Sequence, residues 1–234
     1  MYKSSRSKNG KDVWLKLFTL EFLIVLLLLL SLITFLYAVR MVFVNQQTDF
    51  DDAVFKFIEP YITNTRTNFM LFITFLGKHS FLIPFNFLLI GYFIYKKRKW
   101  FAIRIAALSL SGLLLKIILK ISFQRERPGI PVVEKVSGYS FPSGHALVGI
   151  VFYGLLVYVV WQEVKIKWLR YLLSAFFLIL ILLISFSRIY LRVHYASDVI
   201  AGLSIGFIWL ILSLYVIGRI EKGRIARDIL KGKV

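Results

Sequence analysis

Three short stretches of this chain bring together residue types suited to moving a phosphoryl group. They are KISFQRERP at 120–128, FPSGH at 141–145 and SRIYLRVHYASD at 187–198. Lys120, Arg127 and Arg188 are cationic donors, and a guanidinium fork matches phosphate oxygens two at a time. Ser143 and Gly144 stand where a helix is predicted to begin. Glycine permits close backbone approach, serine offers a hydroxyl, and the unpaired N–H groups of a helix start attract an anion. His194 and Asp198 are four residues apart, so on a helix they share a face. The carboxylate can then fix the imidazole tautomer and leave the other ring nitrogen free to attack. His145, beside the anion-binding turn, is placed to protonate a leaving oxygen. Phosphoryl transfer asks mostly for such positioning and for positive charge around three equatorial oxygens.

Taken singly, each stretch has a plainer reading. A lysine at the end of an apolar run can snorkel to the interface. Pro-Ser-Gly makes a turn and a helix cap, and a lone histidine is more often a hydrogen-bonded structural residue than a catalyst. Convergence at one membrane depth changes the balance, because polar groups there are expensive and usually functional. No acidic cluster suited to Mg²⁺ or Ca²⁺ is visible in the sequence. Cysteine is absent and His79, His145 and His194 are the only histidines, so no metal site and no cofactor is expected.

The elements that must position these residues are membrane spans. The chain is 234 residues long, 59% hydrophobic and 17% aromatic, well above a soluble average. Apolar runs of about 20 residues, enough to cross the hydrocarbon core, recur along it. The net charge of +18 would suggest nucleic acid in a soluble protein. Here much of it is read as loop charge that sets membrane topology, and no nucleic-acid partner is expected. The apolar run at 17–39 is too long for a signal peptide and is read as an uncleaved first span, with Glu21 near its cytoplasmic end. Val54, Phe57, Ile58 and Tyr61 follow i, i+3, i+4, i+7 spacing, with Asp51, Asp52, Lys56 and Glu59 elsewhere on the wheel. That pattern predicts a short helix on the membrane surface, ending near Pro60.

Residues 69–95 are apolar but interrupted by GKHS at 77–80. They form either one kinked span or a short interfacial helix followed by a span at 81–95. Further spans are predicted at 101–123, 143–161, 168–187 and 196–217, six in all. The expectation is therefore an all-α polytopic membrane protein of one domain, 1–234: a six-transmembrane-helix bundle with a short interfacial helix between spans one and two. Both termini and the second and fourth connections then share a side, which carries 18 of the 30 Lys and Arg residues. By the positive-inside rule that side is cytoplasmic, so all three polar stretches face outward from the cytoplasm.

The three stretches together resemble the signature of the type 2 phosphatidic acid phosphatase family, which is related to vanadium-dependent haloperoxidases. The family pattern is K-x6-R-P, then P-S-G-H, then S-R-x5-H-x3-D. Lys120 with Arg127-Pro128, Pro142-Ser143-Gly144-His145, and Ser187-Arg188 with His194 and Asp198 match every position. The motifs span 120–198, and the six-span layout extends the resemblance over most of the chain. It implies a metal-independent phosphatase that passes through a phosphohistidine. His194 would be the nucleophile, Asp198 its orienting partner and His145 the general acid. Lys120, Arg127, Ser143, Gly144 and Arg188 would bind phosphate.

The resemblance further implies a lipid phosphate or diphosphate as substrate, and the compact layout suggests a bacterial inner-membrane enzyme with an extracytoplasmic site. Undecaprenyl diphosphate, phosphatidic acid and phosphatidylglycerol phosphate are the candidate substrates. Lipid A phosphatase or phosphotransferase activity is an alternative within the same resemblance. A vanadate-dependent haloperoxidase and a non-enzymatic transporter or scaffold are alternatives of other classes; the sequence leaves oligomeric state open. Outside the signature, Lys116 lies one turn before Lys120 and is a candidate for a second phosphate, with an interfacial charge at least as good a reading. Arg125, Lys135 and Arg192 are outer-side cations, for which a solvated charge is at least as good a reading. Tyr190 and Tyr195 fit an aromatic belt, and Lys78 and His79 are weak candidates for lining a substrate route from the lipid.

Overall fold

A computed structural model of the protein describes residues 6–133 and 136–230. Lys135, and the side chains of the basic residues Lys3, Arg6, Lys8, Lys11 and Lys16, lie outside the described residues. Eight α-helices follow one another among those described: α1 Arg6–Val39, α2 Asp49–Ile58, α3 Asn64–Phe75, α4 His79–Tyr95, α5 Lys99–Phe123, α6 Gly144–Glu163, α7 Lys167–Tyr190 and α8 Ala196–Leu230. A π-helical turn, Arg40–Val44, extends α1, and a 3₁₀ turn, Glu59–Tyr61, follows α2. Six segments are long and apolar enough to cross a membrane: Glu21–Val44, Asn64–Tyr95, Lys99–Phe123, Gly144–Glu163, Lys167–Tyr190 and Ala196–Leu230. The protein is an all-α polytopic membrane protein, as its apolar periodicity predicts.

The helix α6 occupies the centre, packed against α5, α7 and α8. Its Leu147, Val151 and Leu155 are buried with Ile105 and Leu108 of α5 and Leu210 of α8. Its opposite face meets Leu180, Ile181 and Ile184 of α7. Outward-facing residues such as Leu23, Ile33, Phe87 and Leu182 stay exposed, as hydrocarbon tails are as good a solvent for them as a core would be. At the end predicted to be cytoplasmic, Arg98 pairs with Glu163 and Arg104 with Glu221. The second pair ties α5 to the extension of α8, which continues as helix beyond the predicted end of its span at 217.

The interrupted segment resolves into two helices. After α3, Gly77 N–H bonds back to the Thr74 carbonyl and Lys78 N–H to that of Phe75, tight closures that end the helix. Twelve residues of α3 rise only about 18 Å, too short to cross a bilayer alone. It packs against α7, whereas α4 packs against α5. Gly77 is required at the break. A Cβ there would sit 2.7 Å from Ile184 Cγ2 and 2.8 Å from the His145 ring.

The short α2 lies between the first two spans, as expected, but one contact it makes was not legible in the sequence. Of the apolar stripe, Ile58 is buried but Phe57 and Tyr61 are exposed, while Asp51, expected on a solvated face, is fully buried. The helix is held down by its acidic residue, and the reason lies in the site.

Candidate active site

The N-terminus of α6 is the floor of the site. Ser143 is the N-cap of that helix, yet its side chain makes no capping bond. Its Oγ is buried with no protein partner, although an N-cap serine usually bonds an N2 or N3 amide. The turn is held through the backbone instead: Ser143 N–H donates to the Asp198 carbonyl at 2.9 Å. This approach depends on Gly202, where a Cβ would meet the Ser143 carbonyl at 2.6 Å.

His194 and Asp198 do meet, but not across one face of a helix. The last helix begins at Ala196, so His194 precedes it in a turn whose Val193 and His194 N–H groups both bond the Arg188 carbonyl at 3.2 Å. Asp198, in the first turn of α8, folds back so that its Oδ2 accepts from Tyr195 N–H at 3.0 Å and lies 3.4 Å from His194 Nδ1. This is capping-box geometry, in which a third-position acid satisfies an orphan amide at the helix start. Orienting the imidazole and capping the helix are thus done by one carboxylate.

Asp198 is itself held by Arg125. The guanidinium donates to Asp198 Oδ1 at 2.7 Å and to Asp51 Oδ2 at 2.9 Å. Asp51 in turn accepts from Ser197 N–H at 2.9 Å and from Ser197 Oγ at 2.6 Å. Both carboxylates are fully buried. Burial works against the Arg125 charge, but Asp198 and Asp51 outweigh it and hold the guanidinium pKa above its ordinary value. Arg125 is therefore a buried bridge and no solvated cation, and Asp51 is a site-supporting residue whose pattern in the sequence suggested only a polar helix face.

The other cations surround His194. Arg127 donates through Nη1 to the Val193 carbonyl at 2.6 Å and approaches His194 Nε2 at 3.3 Å. A guanidinium only donates, so Nε2 is the acceptor and the ring proton sits on Nδ1, towards Asp198. His194 is buried, and burial first, with Arg127, Arg188 and Lys120 adding to it, pushes its pKa well below the ordinary 6.5. The imidazole is thereby kept neutral with its Nε2 lone pair available. Arg188, in the last turn of α7, donates to Thr74 Oγ1 of α3 at 2.6 Å and leaves its Nε buried with no protein partner. Lys120 Nζ donates to the Tyr139 carbonyl. The Nε2 of His145 is likewise buried and without a partner.

These groups share a cavity of about 330 Å³ whose walls include Lys120, Arg127, Gly144, His145, Arg188 and His194. A second cavity, of about 620 Å³, adjoins it across His145 and Arg188 and is lined by Leu71, Thr74, Lys78, Val133 and Leu191 among others. Three buried polar atoms lacking protein partners, at a cavity lined by the four cations Lys116, Lys120, Arg127 and Arg188, suit a small tetrahedral oxyanion. Among the described residues no group of three or more His, Cys, Asp or Glu side chains is clustered as a metal site would be.

A family model for the PAP2 superfamily matches residues 100–222, more than half of the chain. The chain belongs to the PAP2 superfamily. Among curated proteins it is 28% identical to phosphatidylglycerophosphatase B of Bacillus subtilis over 183 residues, 74% of this chain and 86% of the relative. It is 29% identical to an undecaprenyl-diphosphatase of Sulfolobus acidocaldarius over 187 residues, 77% and 84% of the two chains. Its fold superposes on the transmembrane PAP2-type phosphatidylglycerolphosphate phosphatase of Bacillus subtilis with a TM-score of 0.76 at 25% identity, covering 82% of this chain and 96% of the other. LpxE of Aquifex aeolicus matches at 0.54 and 27% identity, over 70% and 93%. This PAP2 protein is a membrane lipid phosphatase.

Of the outer-side residues beyond the PAP2 signature, Arg192 lies 3.6 Å from Glu59 and above the Phe55 ring, tying α2 to the turn after α7. The two tyrosines are not belt residues. Tyr190 is buried with its hydroxyl donating to the Tyr61 carbonyl and accepting from Thr63 N–H. Tyr195 lies beneath the Arg125 guanidinium at 3.9 Å, and burial raises its phenol pKa. His79 and Lys116 reach the cavity lined by His145 and His194, whereas Lys78 lines its larger neighbour. Thr74, which fixes Arg188, had no signal in the sequence beyond being a threonine in an apolar run.

Proposed function

We propose that this PAP2 enzyme hydrolyses a lipid phosphomonoester or diphosphate at the extracytoplasmic face of the bacterial cytoplasmic membrane through a phosphohistidine, with the whole of 1–234 working as one membrane-embedded unit. His194 Nε2 attacks phosphorus, the bond from phosphorus to the leaving oxygen breaks, and His145 gives that oxygen a proton. Water then attacks phosphorus, the phosphorus–nitrogen bond breaks, and His145 takes the water's proton. Orthophosphate leaves and neutral His194 is restored. Lys120, Arg127, Arg188, Ser143 Oγ and the Gly144 backbone hold the phosphoryl oxygens, taking the electrostatic role a metal plays elsewhere. The bound phosphate supplies the negative charge that keeps a proton on His145.

The observation that carries this reading is the state of His194: neutral, with Nδ1 turned to Asp198 and its Nε2 lone pair in a wall of cations. The relatives' names, phosphatidylglycerophosphatase and undecaprenyl-diphosphatase, support lipid phosphates and diphosphates as the substrate range. The test is orthophosphate release by the purified protein in EDTA from undecaprenyl diphosphate, phosphatidic acid and phosphatidylglycerol phosphate. At least one lipid is expected to be turned over, and His194→Ala to be silent. Near-wild-type turnover by His194→Ala, or activity that appears only with added metal, refutes the mechanism.

A further inference from the structure

Lys116 and His79 have no place in the mechanism above, yet both line the cavity that contains it. They come from different helices, α5 and α4, and meet at 2.8 Å between Lys116 Nζ and His79 Nε2. An ammonium only donates, so His79 accepts one of its three protons and aims the rest. Among the described residues no carboxylate lies within ion-pair distance of Lys116 or Lys120. Two lysines without counter-ions, one turn apart on a membrane helix, mark a place that is completed by an anion.

The position of Lys116 relative to the catalytic groups is fixed by two glycines. A Cβ on Gly144 would lie 2.9 Å from Lys116 Cδ and 3.7 Å from Lys120 Cε, so both lysine stems run over the turn that binds the phosphoryl group. At Gly77, the break just before His79 lies against the edge of the His145 ring. His79 and Lys116 therefore flank the general acid, where the leaving group departs. Positions i and i+4 are about 6 Å apart along a helix, close enough for two flexible ammonium groups to contact adjacent phosphates at once.

We propose that Lys116, aimed by His79, binds a second phosphate on the leaving group, so that the enzyme acts on lipid diphosphates in preference to monophosphates. This rests on the phosphohistidine reading. His194 attacks the terminal phosphorus, the bond to the bridging oxygen breaks with His145 protonating it, and the lipid monophosphate departs under the Lys116 ammonium. Charge accumulates on that departing phosphate during the step, so Lys116 acts on the rate as well as on binding. A lipid monophosphate such as phosphatidic acid or farnesyl phosphate, whose leaving group is an uncharged alcohol, presents nothing for Lys116 to hold.

The experiment compares farnesyl diphosphate with farnesyl phosphate, which differ only in the second phosphate. The ratio of their kcat/KM values is measured for wild type, Lys116→Met and His79→Gln, with His194→Ala as control. Wild type is expected to favour the diphosphate. Lys116→Met should lower the ratio about 10- to 100-fold, as one charge-assisted contact is lost, and His79→Gln should lower it less. A ratio unchanged by both substitutions, or a wild-type preference for the monophosphate, overturns the proposal. Because a misfolded variant loses both activities together, the ratio reads the subsite and not the fold. Should His194→Ala keep full activity, it is the phosphohistidine reading that has failed.

Discussion

The Nε2 atom of His194 accepts from a guanidinium that cannot surrender its proton, while Nδ1 faces a buried carboxylate. That pairing fixes the tautomer, and burial with the surrounding cations depresses the pKa. The sign of the resulting pH dependence follows directly. A depressed pKa leaves the proposed nucleophile neutral through and below pH 6.5, so activity is lost to His194 protonation only at more acid pH. The same shift penalises the folded state at low pH, because the unfolded histidine takes up its proton first. Substituting Arg127→Ala removes the second-largest cause of the depression while burial stays. Its acid limb in kcat/KM should move up towards 6.5, and kcat/KM should fall by about 10²-fold. A limb that does not move would mean that Arg127 binds phosphate without tuning His194. The unpaired Ser143 Oγ is legible only at this scale and only in the structure, since the sequence reads Pro-Ser-Gly equally well as an ordinary cap.

At the scale of elements, the start of α8 is where structure and chemistry are the same bonds. Its first amides are satisfied by Asp198 from within and by Asp51 from α2, and Arg125 joins the two acids. Asp51 thus acts as a cap supplied by another helix, 146 residues away in sequence. Replacing it with alanine leaves Arg125 with Asp198 as its one carboxylate partner and the Ser197 amide with none. Breaking such a buried pair costs about 3 kcal/mol. We expect Asp51→Ala to lower the thermal midpoint in detergent and to reduce kcat by about 10-fold or more with little change in KM. Ser197→Ala keeps the amide bond to Asp51 and should cost less on both counts. If Ser197→Ala proved the more damaging, the hydroxyl and not the carboxylate would be the anchor. The sequence placed α2 as a short helix between the first two spans but gave no sign of what Asp51 meets, for a plain reason. An acidic residue on a polar helix face has the same pattern whether it meets water or a buried arginine.

Over the whole molecule, the polar stretches gather at one end of the bundle, and the ion pairs of Arg98 and Arg104 lie at the other. The chain has no cysteine, so single cysteines report on topology without background. Ser137 is exposed on the loop over the cavity that His145 and His194 line, and Lys96 is exposed at the far end of α4. In intact cells a membrane-impermeant thiol reagent should label Ser137→Cys, and should reach Lys96→Cys only after permeabilisation. The reverse pattern would place the site on the cytoplasmic side and refute the charge-based topology. The broken segment Asn64–Tyr95 also belongs to this scale. The GKHS interruption was visible as a sequence feature. That it brings Gly77 against His145 depends on where α6 and α7 lie.

The sequence by itself determined the class of fold, and its three polar stretches contain most of the charged residues that line the polar cavity. Spans are legible because the hydrocarbon core imposes a length and an apolarity on each segment separately. The site residues are legible because arginine, lysine and histidine at a span end carry a local desolvation cost that function must offset. Tertiary structure alone decided how those residues are held. It set Asp198 as a cap and not as a helix-face partner, and it turned Arg125, Asp51 and Thr74 from bystanders into supports. It also brought His79 beside Lys116. Each of those contacts joins segments far apart in the chain, and which charges meet is set by how α2, α3 and the loop after α5 pack against α7 and α8.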